Sequence, residues 1–250
     1  MTAAVTLDLP GRVLVVGAGG GIGGAVADRL NAAGSEVLGA DRSPRPEGWP
    51  GPWITADISA AADRAKIARL AEGPLNGVVY AAGILDPAGW EEIGEDEAAR
   101  VLSVNLLAPF FLLRELGPCL AEGAGVVLIG SISGLRASPA TPIYAASKAG
   151  LRNLAASLAI LLRPRGARVN HLAPGLIDTP LTSALNRDIA ARSGVDVARV
   201  EQQRAEAIPM GRAGTVEEVA AATLFLLSSQ SSYLTGASLF PTGGVLAGMI

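Results

Sequence analysis

Ser131, Tyr144 and Lys148 are the side chains in this 250-residue chain whose types and spacing could do acid-base chemistry together. Tyr144 and Lys148 stand four residues apart. In a helix that spacing puts them on one face, about 6 Å apart along the axis. A free phenol, with a pKa near 10, is a poor base at neutral pH. A neighbouring ammonium favours the phenolate and is expected to lower that value. A shift of about two or three units, each roughly 1.4 kcal/mol, is within reach of one charge in a dry cleft. Ser131 could donate a hydrogen bond to the same substrate oxygen. Tyr-x-x-x-Lys alone is a weak pattern, because most chance matches are ordinary helical pairs, so the rest of the chain must decide.

The flanking elements are suited to position these groups. Val126-Val127-Leu128-Ile129 reads as a buried strand ending near Ser131, and residues 145–162 read as a helix carrying Lys148. Further upstream, Arg12 to Val16 reads as a first strand. It is followed by Gly17-Ala18-Gly19-Gly20-Gly21-Ile22-Gly23-Gly24 and a helical segment over 25–33. Strand, glycine loop and helix form a phosphate cradle: glycines let backbone approach a pyrophosphate, and the helix start offers free amides and a positive dipole end. The loop lacks a Gly-Lys-Ser/Thr ending, which disfavours a nucleoside-triphosphate loop. Asp41 ends the second strand, about 20 residues on, where a carboxylate accepts both ribose hydroxyls and repels a 2′-phosphate. That favours NAD; Arg42 beside it leaves NADP possible. Asp57 and Ile58, after a short strand over 53–55, sit where an adenine ring could rest.

Other segments give coarser expectations. Pro44, Pro46, Pro50 and Pro52 forbid a helix over 42–52. Residues 60–71 read as a helix with Asp63 and Arg64 outward. Residues 95–116 read as a long helix bent near Pro109, with Asn105 as a structural anchor or a member of a polar relay. Strands are expected over 76–80, 125–130, 168–172 and 237–240. A capping box at Thr215 and Glu218 starts a helix to Leu227. Residues 181–210 read as an irregular substrate lid. Its Leu181, Leu185, Val195 and Met210 suggest an apolar or mixed pocket.

Composition narrows the function classes. Half the residues are hydrophobic and 17% are charged, with a net charge of −3 and no long basic run. This argues against a disordered chain and against a nucleic-acid partner. A single cysteine and a single histidine, His171, leave too few ligands for a usual zinc site, and His171 reads as a strand residue. No uninterrupted run of about 18 apolar residues is seen, so no membrane span is expected. Met1 to Gly11 shows no signal-peptide pattern, and a cytoplasmic protein is expected.

Together these motifs resemble the short-chain dehydrogenase/reductase family over nearly the whole chain. Gly17, Gly21 and Gly23 match its G-x-x-x-G-x-G loop, and Tyr80-Ala81-Ala82-Gly83 stands for its N-N-A-G. Asn105 falls on its helix-four asparagine. Ser131 lies thirteen residues before Tyr144, and Pro174-Gly175 with Thr179 follows strand six. The sequence departs from the family at Val16, at Ala81 and at Thr242. The first two positions usually brace the loop through hydrogen bonds.

The resemblance implies a Rossmann-type α/β fold: one domain over 1–250, a seven-stranded and mostly parallel sheet, and helices on both faces. It implies NAD, with NADP as the alternative, held by Gly17, Gly19, Gly21, Ile22, Gly23, Asp41, Asp57, Ile58, Ala82, Gly83, Tyr144, Lys148, Pro174, Gly175, Ile177 and Thr179. It further implies hydride exchange with a small-molecule secondary alcohol or ketone. In that scheme Tyr144 moves the proton, Lys148 lowers its pKa and binds the nicotinamide ribose, and Ser131 steadies the substrate oxygen. Asn105 would hold a water linking Lys148 to solvent. Ser133 competes with Ser131, but the spacing to Tyr144 favours Ser131. Cyclic alcohols, hydroxysteroids or dihydrodiols are the leaning for substrate. An NADPH-dependent biosynthetic reductase and a non-catalytic dinucleotide-binding protein are the alternatives. Apolar residues on more than one face of the helices over 95–116 and 145–162 suggest a homotetramer or homodimer.

Overall fold

The chain winds seven strands into one parallel sheet. The computed structural model describes residues 7–85 and 90–247. The expectation of no signal peptide therefore falls, for residues 1–6, outside the described residues. The strands are β1 (Arg12–Val16), β2 (Glu36–Asp41), β3 (Trp53–Thr55), β4 (Leu75–Tyr80), β5 (Leu120–Ile129), β6 (Arg168–Leu172) and β7 (Ser238–Leu239). Their spatial order is β3-β2-β1-β4-β5-β6-β7, and every pairing is parallel. The order reverses between β1 and β4, so a crevice opens at the carboxyl ends of these strands.

Alternating side chains of β1 feed two cores, as strand geometry requires. Leu14 and Val16 join Leu38, Val78 and Tyr80 beneath Ile67 of α2 (Ala61–Leu70), Leu112 of α4 (Ala108–Leu116) and Leu151 of α5 (Pro142–Leu161). Val13 and Val15 join Val37 and Val79 on the other face, under Val26 of α1 (Gly21–Ala32) and Leu224 of α8 (Val216–Leu227). Because both faces are covered, the strands are continuous apolar runs rather than alternating ones. Arg168 secures the end of α8. Its guanidinium donates to the carbonyls of Leu226 (2.9 Å), Leu227 (3.2 Å) and Ser228 (3.2 Å), which the helix itself leaves without partners. The capping box at Thr215 and Glu218 is present at its start.

Three expectations are corrected. Arg64 does not point outward; it is buried, and it donates to the carbonyls of Ile58 (2.9 Å) and Ser59 (2.8 Å). Its guanidinium lies 5.3 Å from the centre of the Phe111 ring and 3.8 Å from Glu115, so a cation is accommodated because partners surround it.

The long helix is not bent at Pro109 itself. α3 (Glu95–Leu102) passes into a wider turn over Ser103–Leu107, where the amide of Ala108 bonds the carbonyl of Ser103, before α4 begins. Pro109 has no amide hydrogen for the carbonyl of Asn105, and its ring would crowd that carbonyl in a regular helix, so the ladder widens one turn earlier. The hydroxyl of Tyr80 donates to the carbonyl of Val104 (2.6 Å) and fixes this turn. The whole rod over 95–119 is long and apolar enough by length and composition to cross a membrane, but half of its most apolar window is buried in the protein.

The insert over 181–210 is more regular than expected. It forms α6 (Pro180–Ser193) and α7 (Val197–Glu206), separated by Gly194 in a left-handed conformation. Thr179 and Asp196 cap the two helices through their side chains.

Candidate active site

Two cavities meet at the carboxyl end of the sheet. The first is a cleft of about 250 Å³ lined by Gly17, Gly19, Gly20, Asp41, Arg42, Ser43, Asp57, Ile58, Ala82 and Gly83, with Arg100 and the buried floor of β1 and β2. Its glycines are required by close approach. A side chain on Gly17, whose φ is +84°, would meet the backbone nitrogen of Ala82 at 2.5 Å. Gly20 starts α1 with no side-chain cap, so the first amides of that helix stay available to an anion at the cleft. At the departures Val16 and Ala81, which lack side-chain hydrogen-bonding groups, the loop is held by backbone bonds: Ala81 amide to Val16 carbonyl (2.8 Å) and Gly17 amide to Ala40 carbonyl (2.8 Å). Gly21 and Gly23 belong to the helix start behind the cleft rather than to its lining.

Asp41 is fixed at the end of β2 by two backbone amides. Gly19 donates to one carboxylate oxygen (3.0 Å) and Ser43 to the other (2.9 Å). Each oxygen keeps a second lone-pair direction for a ligand hydroxyl. Asp57 is engaged locally as well: its carboxylate accepts from the Ser59 amide and hydroxyl, which hold it below the ordinary carboxylate value. The uncapped amides, the glycine cradle and the anchored Asp41 together fit a dinucleotide.

The second cavity, about 320 Å³, adjoins the first. Ser131, Ser133, Tyr144, Pro174, Gly175, Ile177 and Thr179 line it, together with Ile22 from the start of α1. Tyr144 lies in the first turn of α5, whose N-terminus is set by Pro142. Ser131 follows β5, and its hydroxyl oxygen accepts from the amide of Ser133 (3.1 Å). Both serines reach the cavity, and Ser131 is the one whose hydroxyl acts on Tyr144, favouring its charged form.

Lys148 is buried behind Tyr144. Its ammonium is 5.6 Å from the centre of the Tyr144 ring and donates to the carbonyl of Ile129 (3.1 Å). A side chain on Gly83 would come within 3.2 Å of that ammonium, so Gly83 leaves the approach to Lys148 open.

The electrostatics differ from expectation in one respect. Tyr144 is not lowered: burial pushes its hydroxyl above the ordinary tyrosine value, and the hydrogen bond with Ser131 offsets only part of this. The Lys148 head is turned to a carbonyl instead of to the phenol, and burial brings its own pKa down to about 8. Loss of hydration is the larger effect for both groups.

Asn105 is an anchor through its side chain. It accepts from the amide of Ile84 (2.9 Å), donates to the carbonyl of Ile84 (2.9 Å) and donates to Ser147 (3.0 Å). The side chain thus ties the strand-four loop to α5.

His171 is buried in β6, with Ser238 as the partner of one ring nitrogen (3.2 Å). Gly130 leaves room for its ring, since any side chain there would collide with it. Burial, helped by the positive charges of Lys148 and Arg152, lowers the His171 pKa to about 4. An unfolded histidine takes its proton near pH 6.5, the folded one only near 4, so acid favours the unfolded state between these values. The contribution is complete above about pH 6.5 and is lost as the pH falls through 4, about 3 kcal/mol in all. Urea unfolding followed from pH 7 to pH 4 is expected to show this loss, and His171→Gln is expected to flatten it; an equal slope in the variant would assign the loss elsewhere.

Several lining residues were not singled out individually by the sequence. Leu85, Arg136, Leu176, Arg204, Ile208 and Val245 converge from five separate segments. Of the lid residues, Leu181 and Leu185 line this cavity, whereas Val195 does not and Met210 lines a different one.

Known proteins are similar to this chain over most of its length. A family model described as enoyl-(acyl carrier protein) reductase matches residues 17–246. A 3-oxoacyl-(acyl-carrier-protein) reductase of Rickettsia conorii is 32% identical, over 96% of this chain and 99% of its own. An uncharacterized short-chain type dehydrogenase/reductase of Sinorhizobium fredii is 34% identical over 94% of this chain, which spans only 44% of that relative's length. The crystal structure of a short chain dehydrogenase family protein from Francisella tularensis superposes with a TM-score of 0.90 at 28% identity, covering 95% of this chain and 99% of that one.

Proposed function

The chain belongs to the short-chain dehydrogenase/reductase family, and from that premise we propose that it interconverts a secondary alcohol and a ketone using a nicotinamide dinucleotide. The observation that carries this reading is the meeting of Ser131 and Tyr144 on one cavity wall, with Lys148 behind the phenol and a glycine-lined cleft adjoining. The dinucleotide, when bound, supplies or accepts the hydride. Tyr144 gives a proton to the substrate oxygen in reduction and takes it in oxidation. Ser131 hydrogen-bonds the same oxygen and fixes its position. Lys148, with its pKa near 8, remains largely charged at neutral pH and offers the compensating charge when the phenolate forms. The same two side chains would hold the nicotinamide ribose, with Pro174, Gly175, the Ile177 backbone and Thr179 near the carboxamide. Asn105 would hold a water leading from Lys148 to solvent.

Asp41 supports NAD as the preferred cofactor, because its anchored carboxylate suits ribose hydroxyls and repels a 2′-phosphate. Arg42 lining the same cleft favours the second reading, an NADPH-dependent reductase. Titration separates them. NAD+ is expected to bind at least about tenfold more tightly than NADP+, a difference of roughly 1.4 kcal/mol, and Asp41→Ala is expected to close the gap. Tighter NADP+ in the unaltered protein would overturn the first reading.

Cyclic secondary alcohols, hydroxysteroids and dihydrodiols are the substrate classes to assay first, with α6 and α7 as the lid of a single domain. Leu107 of the wider turn and Ile160 and Leu161 of α5 expose large apolar side chains, which supports a homotetramer or homodimer through these helices. Solution scattering is expected to give the mass of two or four chains; a monomer would contradict this.

A further inference from the structure

The cavity beside Tyr144 has an uneven charge inventory. Two guanidinium groups, Arg136 and Arg204, are among its lining residues, and no carboxylate is among the described ones. The remaining lining is apolar or hydroxyl-bearing. Arg204 reaches the cavity from α7 and is partly buried. Its hydrogen-bond partner is the side-chain oxygen of Asn186, a neutral group that is itself 5% exposed. Asn186 turns its amide nitrogen to Glu201 (3.4 Å), which orients the oxygen toward Arg204.

Several other arginines of the chain have a carboxylate or a cluster of carbonyls beside them. Arg12, Arg64, Arg192 and Arg212 each lie within 4 Å of a carboxylate, and Arg168 is surrounded by carbonyls. Arg204 has no ion pair among the described residues, although burial already makes its charge costly and lowers its pKa. A guanidinium has five N–H donors, and the bond to Asn186 uses one of them. Arg136 stands on the same cavity, exposed and without a hydrogen bond or ion pair among the described residues. The planar fork of arginine matches an oxyanion, either a carboxylate or a phosphate ester.

We infer that the substrate is a secondary alcohol or ketone carrying an oxyanion, which Arg204 binds from the lid while Arg136 attracts it at the rim. This rests on the reading of that cavity as the substrate site. It makes Arg204 a specificity-determining residue and adds a cationic anchor to the apolar or mixed pocket expected from Leu181, Leu185, Val195 and Met210.

Calorimetry on the full chain, with and without NAD+, tests it using three probes: cyclohexanecarboxylate, cyclohexanecarboxamide and phenyl phosphate. One of the two anions is expected to bind at least about tenfold more tightly than the neutral carboxamide, and the better anion identifies the oxyanion. Arg204→Gln, which keeps a donor for Asn186, is expected to bring the anion-to-amide ratio toward one, and Arg204→Lys to recover part of it. Arg136→Gln is expected to lower the ratio by a smaller factor. Equal binding of all three probes, no binding of any, or a ratio unchanged in Arg204→Gln would overturn the inference. Turnover separates this from the parent reading. Neutral ketones reduced without any anion preference would sink the inference alone. Selective anion binding with no hydride transfer to or from any alcohol or ketone would sink the parent reading alone.

Discussion

Tyr144→Phe is expected to cut turnover by about a thousandfold while weakening dinucleotide binding by no more than about tenfold, the worth of one lost ribose hydrogen bond. A positioned proton donor contributes roughly 10²–10⁴ in rate, and here one hydroxyl is asked to supply it. The substitution removes one oxygen atom and keeps the ring, so the packing of the first turn of α5 is retained. Ser131 remains in place, held by the amide of Ser133, but a serine hydroxyl cannot take over the proton because no base adjoins it. The raised Tyr144 value adds a direction to the experiment. In oxidation the group must act as a base, so the rate is expected to climb with pH across the alkaline range. Steady-state rates at several pH values, with cofactor binding measured separately, check both statements. A variant retaining more than a tenth of the activity would take Tyr144 out of the reaction.

Gly23→Ala is expected to destabilise the protein by about 3 kcal/mol, an overpacking cost at the upper end of the usual range. A Cβ on Gly23 would sit 2.7 Å from the carbonyl carbon of Gly17 and 3.2 Å from Cα of Ala18. These are backbone atoms, and they cannot yield. The Gly17 amide is bonded to Ala40, and the Gly17 carbonyl accepts from Gly20 (3.1 Å). α1 would have to back away from β1, opening the cleft as it moves. For a chain of this size the thermal midpoint should fall by about 6 to 12 °C, and dinucleotide binding should weaken with it. Gly24→Ala is the matched control. Its Cβ would meet only the Ala18 carbonyl oxygen, at an ordinary 3.5 Å. A helix-interior alanine is worth about 0.5 to 1 kcal/mol over glycine, so this variant should be neutral or more stable. Equal losses in the two variants would mean that the approach of α1 to the loop is not what Gly23 protects.

Much of the fold was legible because its signals are local. β-branched apolar runs bounded by Gly, Pro and Asp located six strands to within a few residues, and Thr215 with Glu218 fixed the start of α8. The site was legible where chemistry depends on spacing along one element: Tyr144 and Lys148 on α5, the glycines at the start of α1, and Asp41 at the end of β2. Readings that depended on which way a side chain turns did less well. Arg64 looked like an outward helical charge, yet Ile58, Ser59, Phe111 and Glu115 give it an interior place. Lys148 was expected to lower Tyr144, yet its ammonium faces Ile129 and burial dominates both groups.

The amino-acid order thus determined the strand-loop-helix cradle, the parallel α/β sheet and the family, because these follow from backbone sterics, hydrophobic runs and residue spacing within single elements. The tertiary structure decided which side chains share a cavity. Arg136 and Arg204 are 68 positions apart, and nothing in either neighbourhood marks them as partners. They meet on one cavity because α7 folds over the carboxyl ends of β5 and β6. Local rules do not carry that information, since convergence, burial and unmatched charge exist only once distant segments have packed together.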